Sequence, residues 1–183
     1  LAVVSGPSES GGSPIGASSS ESILLDTGPL QALIRVDGFN LFQSVTVEGK
    51  LVIPMNTLPG IVGRGVGGEV LVPGKGTKVV LEENGPARAV VRADGTLVGP
   101  SGLGYVDFTC RITARRNSSD LEASFTVRNA SLERPRHAIL ESVELVTQIQ
   151  TLGAPRLAVS GHEGPVQRLL QPSGSSAALF YQA

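Results

Sequence analysis

The chain has 183 residues, enough for one domain with a substantial core, and 40% of them are apolar. A net charge of -1 supplies no general basic field, which excludes a nucleic-acid-coating surface. No apolar run approaches the roughly 20 residues that a helix needs to cross a bilayer. The 23 glycines and 12 prolines favour many short strands joined by turns, and aromatics at 4% with no Trp argue against a sugar-stacking platform.

In chain order, residues 5–22 (SGPSESGGSPIGASSSES) have Ile15 as their single bulky apolar side chain. Such a tract buries too little surface to offset its ordering entropy. Residues 1–22 are therefore expected to be a flexible linker, and 23–183 a single β-domain. The start at Leu1 and the stop inside an apolar run point to a segment of a larger protein. Ile23–Asp26 and Leu30–Val36 read as strands around Thr27-Gly28-Pro29, and Phe39–Val47 as the return of a hairpin turned at Asp37-Gly38. Glu48-Gly49-Lys50 turns into Leu51–Ile53. Residues 54–68, with Pro54, Pro59 and five glycines, read as a long irregular loop. Val70–Val72 and Thr77–Glu82 flank the turn Pro73-Gly74-Lys75-Gly76.

The clearest alternation runs from 77 to 129. Ala87, Ala89, Val91 and Ala93 alternate with Arg88, Val90 and Arg92, and Asp94-Gly95 reads as the turn that ends this strand. Phe108, Cys110, Ile112 and Ala114 face inward, with Asp107, Thr109, Arg111, Thr113 and Arg115 outward. After the polar loop 116–120, Leu121, Ala123, Phe125 and Val127 form one wholly apolar face. Residues 131–136 read as a charged loop, and 137–150, where helical spacing competes with alternation, as a long, bulged strand. Short strands are expected at Leu157–Ser160 and Ala177–Tyr181. The fold class is all-β: an antiparallel barrel or distorted β-sandwich of about 10–13 short strands.

Few motifs carry chemistry. Gly63-Arg64-Gly65-Val66-Gly67-Gly68 fits G-x-G-x-x-G, but a strand and Pro73 follow it, so no helix N-terminus faces a phosphate. Gly74-Lys75-Gly76-Thr77 lacks phosphate-loop spacing. Cys110 is a buried structural thiol, and one cysteine makes neither a disulfide nor a zinc cluster, so no cofactor or metal is expected. His137, His162, Glu82, Glu83, Glu141, Glu144 and Glu163 are the acid–base groups to consider, and no spacing brings them together. Arg88, Arg92, Arg111 and Arg128 form a stripe suited to acidic ligands or partners, or else a solvated face paired with carboxylates such as Asp107 and Glu122. Asn117-Ser118-Ser119 and Asn129-Ala130-Ser131 are N-glycosylation triplets in strand-end loops, which favours an extracellular or cell-surface setting.

The run Glu82–Gly95, followed by Tyr105–Ala114 and Phe125–Asn129, resembles the N-terminal β-domain of the exo-rhamnogalacturonan lyase (YetA-like) family. Thr27-Gly28-Pro29-Leu30 and Gly38-Phe39-Asn40-Leu41-Phe42 fit the same pattern. The resemblance covers roughly residues 23–150 and implies a RIFT-related barrel. In that family a helical toroid accompanies the β-domain and supplies much of the active site, so no catalytic residue is carried over. The expected role is non-catalytic: a structural or assembly module of a secreted or surface protein, contacting neighbouring domains, subunits or glycans. The alternative is an accessory domain of a polysaccharide lyase acting on acidic polymers.

Overall fold

The computed structural model describes residues 12–129 and 139–150, and the backbone of two further strands at 156–159 and 167–170. Among these residues the chain is all strand and turn, with no helix. The first five strands, β1 (Gly16–Ser18), β2 (Ser22–Asp26), β3 (Leu30–Arg35), β4 (Ser44–Val47) and β5 (Lys50–Ile53), form one antiparallel sheet in chain order.

A second, seven-stranded sheet contains β6 (Gly60–Gly65), β7 (Val70–Pro73), β8 (Lys78–Asn84), β9 (Arg88–Val98), β10 (Gly104–Arg115), β11 (Leu121–Arg128) and β12 (Leu140–Val146). Its order is β11-β10-β9-β7-β6-β12, with β8 also on β9. The first half of β9 pairs with β8 and its second half with β7, so this one strand joins two hairpins. A separate hairpin joins β13 (Arg156–Val159) to β14 (Gln167–Leu170).

The core follows the period-two pattern. Val106, Phe108, Cys110, Ile112 and Ala114 are all buried along β10, against Ile23 and Leu25 of β2, Ala32 and Ile34 of β3, and Val91 and Ala93 of β9. Burying each larger side chain contributes about 1.5–3 kcal/mol. Phe108 is the hub: its ring lies 6.4 Å from Phe39 and 5.7 Å from Phe125, centroid to centroid. The apolar face of β11 is less covered than its pattern implies, because β11 ends the described sheet and Val127 stays 38% exposed.

Three expectations are corrected. Asp94-Gly95 is not a turn, since β9 runs straight through it and pairs Gly95 with Phe108. A β-carbon on Gly95 would sit 2.9 Å from the Phe108 ring and 2.5 Å from Thr77 Oγ1, so this glycine makes room for a ring. Residues 54–68 are not loop throughout, because β6 lies among them, pairing with β7 and β12. There Gly60, at φ +77°, lies so close to the Asn40 carbonyl that a β-carbon would collide with it.

Third, order begins upstream of residue 23. Ile15 is 2% exposed, its N–H donates to the Gly85 carbonyl (3.2 Å) and its carbonyl accepts from Asp26 N (2.7 Å). The Asn84 amide imitates a strand neighbour, accepting from Gly16 N and donating to Gly16 O, both at 2.9 Å. Arg116 clamps the carbonyls of Ser13 and Pro86. A single isoleucine suffices as an anchor when the flanking backbone finds such partners.

Of the long strand expected over 137–150, Leu140–Val146 is present as β12, with a register shift between Leu140 and Ser142; residues 147–150 are not strand, and 137–138 lie outside the described residues. The strand expected at Ala177–Tyr181 lies outside the described residues. Gly95→Ala is predicted to lower stability by about 1–3 kcal/mol through overpacking. The check is the urea midpoint of unfolding, which falls with little change in slope.

Candidate functional site

The polar face of β8–β11 carries the densest set of charged groups among the described residues. Alternation sends every second side chain to it, and register decides the neighbours. Arg92 of β9 lies directly opposite Arg111 of β10. Two guanidiniums so placed repel, and the remedy comes from β8.

The β8–β9 register slips between Leu81 and Glu83, leaving Glu82 as the extra residue of a bulge. A bulge re-aims a side chain, and here the Glu82 carboxylate bridges both arginines. It accepts from Arg111 Nε (2.7 Å) and Nη2 (3.2 Å) and from Arg92 Nη1 (2.6 Å). Asp94 continues the network, accepting from Arg92 Nε (2.7 Å) and the Thr109 hydroxyl (2.8 Å).

These bonds hold the Glu82 carboxyl down at about 2: the Arg111 hydrogen bond lowers it most, partial desolvation opposes, and Arg92 lowers it further. The same contacts push the Arg92 and Arg111 guanidiniums upward, the hydrogen bond to Glu82 contributing most in each. On the opposite face of β10, burial pushes the Cys110 thiol up to about 12.

The anticipated stripe is thus split. Arg88 pairs with Glu83 (2.6 Å), and Arg92 and Arg111 share Glu82. Arg128 has no carboxylate within ion-pair distance among the described residues. Its register partner Asp107 accepts instead from Thr96 Oγ1 (2.7 Å), and Glu122 pairs with Arg115 (2.9 Å). What remains open is a shallow trough of about 380 Å³. Its floor is the opposed pair Thr109 and Thr126, with Arg92, Asp94 and Arg111 at one end and Arg128 at the other.

The other candidates are dispersed. Glu144 on β12 takes the Arg64 guanidinium at 3.1 Å, and Glu141 is exposed on the same strand. His137, His162 and Glu163 lie outside the described residues. No group of three metal-ligating side chains occurs among the described residues. The G-x-G-x-x-G run is the end of β6 and the turn into β7, where the Gly67 N–H already donates to Glu69 Oε2 at 3.0 Å.

Asn117 is exposed in the β10–β11 turn at φ +60°, with its backbone N–H fixed to Thr27 O at 2.8 Å. Asn129 is exposed just past β11. Alternation alone does not show the Glu82 bridge; two successive glutamates at the end of β8 are its one sign in the sequence.

The Glu82 carboxylate is depressed in the folded chain, so its contribution to stability is present above the ordinary value of 4.5 and is lost as pH falls toward about 2. Glu82→Gln is predicted to be less stable than the parent at pH 7, with the difference shrinking through that acid window. Thermal unfolding from pH 7 to 2 checks this, and raised salt narrows the gap because the group is part-exposed.

Residues 16–149 match the family of the PcRGLX-like protein central β-sandwich domain. No curated protein matches the chain significantly. The expected kinship with rhamnogalacturonan lyases holds, and the matching unit is the central sandwich domain where the resemblance pointed to an N-terminal barrel. The two-sheet, all-antiparallel architecture agrees with that description, and the chain belongs to the PcRGLX-like, rhamnogalacturonan lyase-like proteins through their central β-sandwich domain.

Proposed function

We propose that this chain is a non-catalytic module of a secreted or surface lyase-like protein, holding neighbouring domains or subunits in place. One observation carries this reading: Glu82, the carboxylate between Arg92 and Arg111 on the charged face, is already held by both guanidiniums. A general base works best with a pKa near the operating pH, and Glu82, tied by two guanidiniums, sits far below it. A buried thiol pushed up to about 12 is no nucleophile at neutral pH. The ion pairs stiffen strands β8–β10, which suits a supporting role.

The trough favours a second role for the same module, contact with a carboxylate-bearing sugar chain. Arg128 offers a fork for a carboxylate, while Thr109, Thr126 and Asp94 match sugar hydroxyls. Exposed Asn117 and Asn129, each in an N-x-Ser triplet, support an extracellular setting and the attachment of glycans.

Two assays test the reading. Incubated with rhamnogalacturonan, the chain is predicted to generate no ultraviolet-absorbing unsaturated ends; turnover that Glu82→Gln abolishes would contradict the non-catalytic role. In affinity electrophoresis Arg128→Ala is predicted to weaken retention by an oligouronate about tenfold, leaving a neutral galactan unaffected. Equal retention of parent and variant removes the glycan contact.

A further inference from the structure

Among the described residues, three buried side-chain oxygens have no hydrogen-bond partner: Asn40 Oδ1, Gln43 Oε1 and Thr147 Oγ1. Asn40 is only 7% exposed. Backbone contacts place the three residues in neighbouring segments. Asn40 Nδ2 donates to the Asn56 carbonyl (2.9 Å) and Asn56 Nδ2 returns a bond to the Asn40 carbonyl (3.2 Å). Asn56 N donates to the Gln43 carbonyl at 2.8 Å, which ties residues 40, 43 and 56 into one knot.

Gly60 lies against the Asn40 carbonyl and is the register partner of Val146. Thr147 is therefore the first residue past that pair. Gln150 N, bonded to Val52 O at 2.7 Å, then fastens this segment to β5.

The donor count identifies the ligand. Asn40 Nδ2 is committed to Asn56, so Asn40 Oδ1 points away from that bond and needs a donor, as does Gln43 Oε1. The Thr147 hydroxyl can donate. A water molecule offers two donors and accepts one, which satisfies all three groups. The set contains no carboxylate to neutralise a bound cation, and a calcium site ordinarily needs one.

We propose that one ordered water is built into this junction, accepting from Thr147 and donating to Asn40 and Gln43. It bonds the segment after β12 to the loops of the five-stranded sheet, and so joins the two sheets.

Magnetisation transfer from water to the Asn40 and Asn56 side-chain amides, read by NMR, tests the proposal together with thermal unfolding of Thr147→Ser and Thr147→Val. A long-lived water signal is expected in the parent and in Thr147→Ser, and its loss in Thr147→Val, which melts several degrees below Thr147→Ser. Absence of the signal from the parent, or its persistence in Thr147→Val, overturns the proposal. A rise in melting temperature with sodium, potassium, magnesium or calcium at fixed ionic strength, abolished by Thr147→Val, overturns it in favour of a cation.

Discussion

The structure depends on how the Phe108 ring is seated. It lies over Gly95 of the neighbouring strand, between Phe39 and Phe125, in a space that exists because β9 has no side chain at that point. Close packing makes such an arrangement intolerant of added volume, and the long β9 and β10 strands are fixed in register around it. That register places Arg92 opposite Arg111 on the other face. Inner packing thus dictates the electrostatic problem outside, and the β8 bulge with Glu82 answers it.

One pair of strands consequently performs two jobs through its two faces. The inner face closes the core. The outer face presents charges that neutralise one another over most of the network and leaves Arg128 beside a hydroxyl-lined trough. Such a network specifies geometry more than it adds stability, because exposed ion pairs are individually weak. The proposed non-catalytic role rests on Glu82 being held by two arginines of this face.

Alternation in β10 announced its buried face residue by residue, since Phe108, Cys110, Ile112 and Ala114 obey a local rule that sequence displays directly. Glycine was harder to read. Gly95 and Gly60 look like turn or loop residues in one dimension, whereas each makes room for a partner remote in sequence: the Phe108 ring and the Asn40 carbonyl. Ile15 stands out in the sequence but does not look like an anchor, because the partners that hold it and its neighbours come from far along the chain: Gly85 for Ile15, Asn84 for Gly16 and Arg116 for Ser13. The arginine stripe was legible as a face. Its pairing was not, because the bulge that aims Glu82 depends on the register of two strands.

The neutralisation of the Arg92–Arg111 pair therefore turns on the ionisation of a single carboxyl. Following the Glu82 side-chain carboxyl carbon by NMR across an acid titration measures it without perturbing the face. The bridged geometry predicts a midpoint near 2, well below the ordinary 4.5. A midpoint at or above 4.5 would mean that Glu82 stands apart from Arg92 and Arg111, and the self-neutralised face would have to be abandoned.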